Sequence, residues 1–300
     1  MGGDEVRRVL DRSREFFAGR ETRAGLVGRR LLRTSTGHDA ELADHLVREI
    51  RRRTRLDGSM GGSLVDTAWA AGELMDLGCL RDCAALVRMV GYLLTRQDAP
   101  GHYAEGCTDA RHREGCCHHV LHGFFSPAVR DVEIAPLTFP TGVTVADEEE
   151  ARFAASCLAL RAVLRAGEDR RDVVREHTSS LLASGCFQDP WRRGTNPDLF
   201  FFAIGALVHG PLADRSRLAS RLDEAAAAQR EDGTWHETAL FHALEMISGA
   251  TAPQVHRITA RLVPLLCSMQ RPSGAFDEAG NEEWALIAVR TLLLAGSDSA

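Results

Sequence analysis

The stretches QREDGTW at 229–235 and QRPSGAF at 270–276 decide the fold. Each lies between a charged amphipathic segment and an apolar one, and each follows the pattern Q-x-x-x-G-x-aromatic. QDAPGHY at 97–103 repeats the pattern, and RLDGSM at 55–60 is a degenerate copy. The pattern suits a tight connection between two helices. A glutamine closing one helix can hydrogen-bond backbone at the turn, glycine permits the reversal, and the aromatic packs beneath it.

Outward from these turns, one unit recurs from His38 onward: a charged helix, a glycine turn, then a helix rich in Ala and Leu. Asp39–Arg55 pairs with Gly62–Leu77. Arg81–Arg96 pairs with a helix starting near Cys116, and Glu148–Ala166 follows an irregular stretch from Pro127 to Ala146. Arg170–Ser184 pairs with Pro197–Val208, Asp214–Arg230 with Trp235–Ser248, and Pro253–Met269 with Glu282–Leu294. A spacing of about 40 to 45 residues marks stacked helical hairpins, in which no unit buries its apolar helix alone. The expected fold is all-α: either an open superhelix or a closed (α/α)6 toroid of hairpins, with the turns favouring the ring. Residues 1–37, where Val6, Val9, Leu10, Phe16 and Phe17 oppose Arg7, Arg8, Arg12 and Arg14, read as an N-terminal helical extension that braces or covers the main domain, 38–300. An arginine-faced helix of this kind could also lie on an anionic membrane.

Composition narrows the function. The 300 residues are 44% hydrophobic and 26% charged, which suits a soluble globular chain. The formal net charge of −6 gives no basic field for nucleic acid. All 36 basic residues are arginine, which excludes Schiff-base chemistry and a lysine phosphate loop. No apolar run approaches the ~18 residues of a membrane span and no signal peptide opens the chain, so the expected location is cytoplasmic. There, the eight cysteines read as free thiols or metal ligands before disulfides. Homodimerisation is left open.

The chemistry-bearing side chains concentrate in QDAPGHYAEGCTDARHREGCCHHVLHGFF at 97–125, an expanded turn holding three cysteines and five histidines. On a helix beginning near Cys117, His118 and His122 share a face. With Cys107, Cys116 or Cys117 they could complete a zinc site, catalytic if one coordination position stays open and structural if all four ligands are protein. Clustered His and Cys in a polar loop can equally face solvent or be satisfied by backbone.

The turns resemble the QW repeats of squalene–hopene and oxidosqualene cyclases and of protein prenyltransferase β-subunits, all (α/α)6 toroids. SLVDTAW at 63–69 resembles the S-A-Y-D-T-A-W stretch of plant class II diterpene cyclases. The resemblance implies an inner ring of apolar helices whose N-terminal ends surround a central cavity. It implies an apolar, isoprenoid or polyene-like substrate, Asp66 and His236 as catalytic groups, and Trp69, Phe201, Trp235 and Trp284 as substrate-binding rings. Class II cyclases protonate an alkene with the middle aspartate of D-x-D-D. Aligned on Asp66-Thr67-Ala68, that position is Val65, so the usual acid is absent. Cys117-His118 resembles the adjacent zinc ligands of lanthionine cyclases, which makes a zinc-dependent thiol-activating cyclase or transferase the alternative enzyme. A non-catalytic helical scaffold with structural zinc is the alternative from outside enzymology.

Overall fold

A computed structural model describes residues 3–96, 133–192, 194–210, 215–250 and 252–296. Among them run thirteen helices: α1 (Gly3–Ala18), α2 (Arg23–Leu31), α3 (Asp39–Arg53), α4 (Leu64–Asp76), α5 (Ala84–Thr95), α6 (Glu148–Arg165), α7 (Asp172–Ala183), α8 (Gly185–Gln188), α9 (Pro197–Leu207), α10 (Arg215–Ala227), α11 (Leu240–Ile247), α12 (Pro253–Met269) and α13 (Glu282–Gly296). A two-stranded antiparallel ribbon, β1 (Leu137–Thr138) with β2 (Thr144–Val145), precedes α6. None of these helices is long and apolar enough to cross a membrane. The alternation of charged and apolar helices matches the expected hairpins, and most ends fall within two residues of their expected places. The apolar helix expected near Cys116 lies outside the described residues.

The chain divides into two compact units, residues 50–218 and residues 1–49 with 219–300. In the first, α4, α6 and α9 pack side by side. Arg165 closes α6 and donates to the carboxylate of Asp76, which closes α4, at 2.5 Å. Asn196, the N-cap of α9, donates to Glu150 in the first turn of α6 at 2.8 Å. The three helices are therefore parallel, with their N-termini at one end. Residues 151–164 of α6 and 198–207 of α9 are buried without interruption, including Arg152 and Arg161 of α6 and Asp198 of α9, so both helices are enclosed on every side.

In the second unit, α2, α11 and α13 are the buried helices, and their N-terminal ends also meet. Arg20 and Thr22, just before α2, donate to Glu282 at the start of α13, and Arg23 pairs with Glu283. Phe241 of α11 stacks on Trp284 of α13. Residues 23–29 of α2 are all buried, so this helix is packed in the manner of the apolar helices and is more than an external brace.

The turns at 229–235 and 270–276 have the same internal layout. The Gln229 side-chain amide donates to the Gly233 carbonyl in its own turn and to the Ile258 carbonyl of α12. Gln270 donates to the Gly274 carbonyl, to Val9 O and to Ser13 Oγ of α1. Each turn thus grips a charged helix from another hairpin. For the turn after α12 that helix is α1, which makes α1 and α2 a hairpin in their own right.

Candidate functional site

In the unit of residues 50–218, the shared N-terminal end of α4, α6 and α9 is rich in carboxylates because helix starts favour them. Ser63 caps α4 by accepting from the Asp66 amide, leaving the Asp66 side chain exposed. Asp147 caps α6 by accepting from Glu150 N–H. Glu148 accepts from the amides of Ile134 and Ala135, each at 2.8 Å, and from Arg152 Nε at 2.6 Å. That carboxylate is spent fixing the segment before the ribbon. Asp198, in the first turn of α9, is buried.

Behind this rim lies an aromatic group. Phe200 and Phe201 on α9 contact Trp191, with centroids 5.8 and 6.5 Å apart, and Phe139 of the ribbon meets Phe202 at 4.5 Å. Phe201 is fully buried. Trp69, on α4, is half-buried. The Trp191 indole nitrogen is buried and has no hydrogen-bond partner among the described residues. Trp191 is not among the sequence candidates; its signal is a tryptophan in a polar turn, QDPWRR, next to the run Phe200–Phe202.

In the other unit, Asn281 accepts from the amides of Glu283 and Trp284 and so begins α13 with Trp284 on its first turn. Trp284 is half-buried and stacks on Phe241 at 4.5 Å with 11° between the planes. Phe276, from the QRPSGAF turn, meets Phe241 edge-on at 6.4 Å. Glu282 and Glu283 face this end too, but each is held in an ion pair with an arginine.

The remaining sequence candidates separate. His236 is exposed, 3.7 Å from Glu237. It precedes its helix by several residues, because α11 begins at Leu240 and not at Trp235. Glu237, at φ +52°, breaks the expected helix start. Trp235 is buried with its indole N–H donated to Ala225 O at 2.8 Å. Cys107, Cys116, Cys117, His118 and His122 lie outside the described residues, as do His119 and the turn at 97–103. Among the described residues no group of three His, Cys, Asp or Glu could hold a metal ion. The described cysteines are all free thiols, and burial pushes the Cys157 thiol up and that of Cys186 up to about 12. Burial also lowers His177 to about 4.

Parallel apolar helices with capped, carboxylate-bearing N-termini, linked through outer helices by glycine turns, define an all-α fold of the (α/α)6 hairpin class. The chain is similar in fold to a variant of the type II terpene cyclase MstE from Scytonema, solved in complex with its substrate geranylgeranyl dihydroxybenzoate. The TM-score is 0.57 at 14% sequence identity, over 97% of this chain and 97% of that one. No protein-family model matches the chain, and no curated protein matches it in sequence.

Proposed function

We propose that the chain is a terpene-cyclase-like enzyme that binds an apolar small molecule with an isoprenoid or polyene tail at the N-terminal ends of α11 and α13. The Phe241–Trp284 stack carries this reading: a half-exposed indole, fixed by a helix cap and backed by a second ring, is a platform for an alkene or a passing cation. The shared fold with a cyclase solved with a geranylgeranyl substrate supports it.

The chemistry would be proton-initiated. An acid adds a proton to a terminal alkene, the resulting cation is attacked by a neighbouring double bond, and a base removes a proton, so the product is an isomer of the substrate. With Val65 in the usual acid position, we assign proton transfer beside the Trp284 platform to His236, and Asp66, which belongs to the other compact unit, is a separate candidate for the same role. Each is tested by a shape-conserving change, Asp66→Asn and His236→Gln. Either should leave the melting temperature unchanged, since both side chains are exposed, and should lower turnover.

Trp284→Phe should retain most of the turnover of geranylgeranyl dihydroxybenzoate. Trp284→Ala should lower it by about 30-fold, the value of roughly 2 kcal/mol of cation–π stabilisation in a desolvated site. Product is read by mass spectrometry and chromatography. Failure of the unaltered protein to bind any isoprenoid phenol would end the proposal.

A zinc site at Cys107, Cys116, Cys117, His118 and His122 stands as a separate proposal, on which no step above depends. Protein purified without chelator should then carry about one equivalent of zinc. Less than about a tenth of an equivalent in elemental analysis would remove it.

A further inference from the structure

A cavity of about 640 Å³ opens at the C-terminal ends of α4 and α6, the far end of these helices from Asp66 and Glu150. Its size lies within the range of about 300–1,000 Å³ typical of small-molecule sites. It is much too small for a docked helix, whose diameter alone is about 10 Å. The walls are Met75, Cys79, Leu80 and Leu86, with Arg81, Asp82 and Arg165 at the edges.

Two features of this cavity call for an occupant. Leu80 is 72% exposed, an apolar side chain left in water at the rim of an apolar hollow. Arg81 is anchored by one donor, Nη2 to the Gly167 carbonyl at 2.6 Å. Its other donors have no acceptor among the described residues. Arg165, by contrast, is spent on Asp76 and the Gly72 carbonyl. The Arg165 charge is balanced by Asp76, so the donors left for an occupant of the cavity are those of Arg81, beside the Asp82 carboxylate. Cys79 adds no charge, because burial pushes its thiol up to about 12 and keeps it protonated.

We propose that this cavity is a second binding site, for a single-chain carboxylate amphiphile of the fatty-acid type. The chain lies against Met75, Leu80 and Leu86, and the carboxylate takes the free donors of Arg81. An apolar wall supplies affinity without direction, while a fixed guanidinium at the mouth orients the head group.

Calorimetric titration of the full chain with dodecanoate, and separately with dodecanol, tests this below the concentrations at which either self-associates. Dodecanoate should bind with saturable heat. Arg81→Gln should weaken dodecanoate by about tenfold, the loss of one charge-assisted contact, and leave dodecanol unchanged. Leu80→Ser should weaken both, and Trp284→Ala neither. Leu80 and Arg81 are exposed, so their variants should fold. Absence of dodecanoate binding, or binding that ignores either Leu80→Ser or Arg81→Gln, overturns the proposal. Weakening by Trp284→Ala would also overturn it, by placing dodecanoate at the helix N-terminal site instead.

Discussion

Gly274→Ala is expected to lower stability by about 3 kcal/mol, read as a fall of roughly 6–12 °C in Tm. Two costs combine. Gly274 has φ +86°, which any Cβ disfavours by about 1–2 kcal/mol. A Cβ there would also lie 2.6 Å from Arg12 O and 2.7 Å from Phe16 Cβ, so α1 must move away from the turn. That movement strains the three hydrogen bonds that Gln270 makes across the same contact. Gly280 supplies the control, since it has φ +73° and a methyl group added there would meet nothing within 4 Å. Gly280→Ala should show the conformational cost alone, about 1–2 kcal/mol. Equal losses for the two variants, by thermal circular dichroism, would show that the grip on α1 contributes nothing.

Asp39→Asn should cost about 3–5 kcal/mol, the usual result of removing one partner from a buried ion pair. Asp39 and Arg29 are each about 5% exposed. Arg29 donates to Asp39 through Nε and Nη2 at 3.0 and 2.8 Å, and through Nη1 to the carbonyls of Phe17 and Arg20. One guanidinium thereby ties the end of α1, α2 and the start of α3. The Arg29 hydrogen bonds hold the Asp39 carboxyl below its ordinary value, with further help from Thr36. A depressed folded-state pKa contributes stability that is fully present above the unfolded carboxylate value, about 3.9, and is lost as pH falls through the lower folded value. The Tm gap between the native chain and Asp39→Asn should therefore be constant from pH 7 to about 5 and narrow below about 4. A gap that stays constant to lower pH would rule out the ionised pair as its origin.

Helix positions were legible because local signals agreed. Pro253 at the first position of α12, Asn196 and Pro197 opening α9, and the Ala- and Leu-rich run of α6 each point to one element. Burial of α2 was not legible. RAGLVGRRL carries three arginines, and what makes its burial tolerable are Glu283, some 260 residues away, and Asp39. The start of α11 was misplaced because a left-handed Glu237 leaves no signature in the sequence. Aromatic residues could be assigned to helices but not to roles. Trp235 is tied to the preceding helix α10, Trp284 is the half-buried ring, and Trp191 gains its setting from residues nine and ten positions onward. The Cys/His segment was the most conspicuous chemistry in the sequence and lies outside the described residues.

The grip of Gln270 on Val9 and Ser13 has a consequence for biogenesis. The unit that contains it is assembled from two segments, 1–49 and 219–300, that flank the contiguous residues 50–218. During synthesis the contiguous unit can close while the ribosome is still translating. The α1–α2 hairpin, though made before that unit, must wait with Phe16, Phe17 and Leu26 uncovered until α12 and α13 emerge. This apolar surface is thus made before residues 50–218 and covered after them, and a chain stalled before α13 would present it to chaperones and proteases.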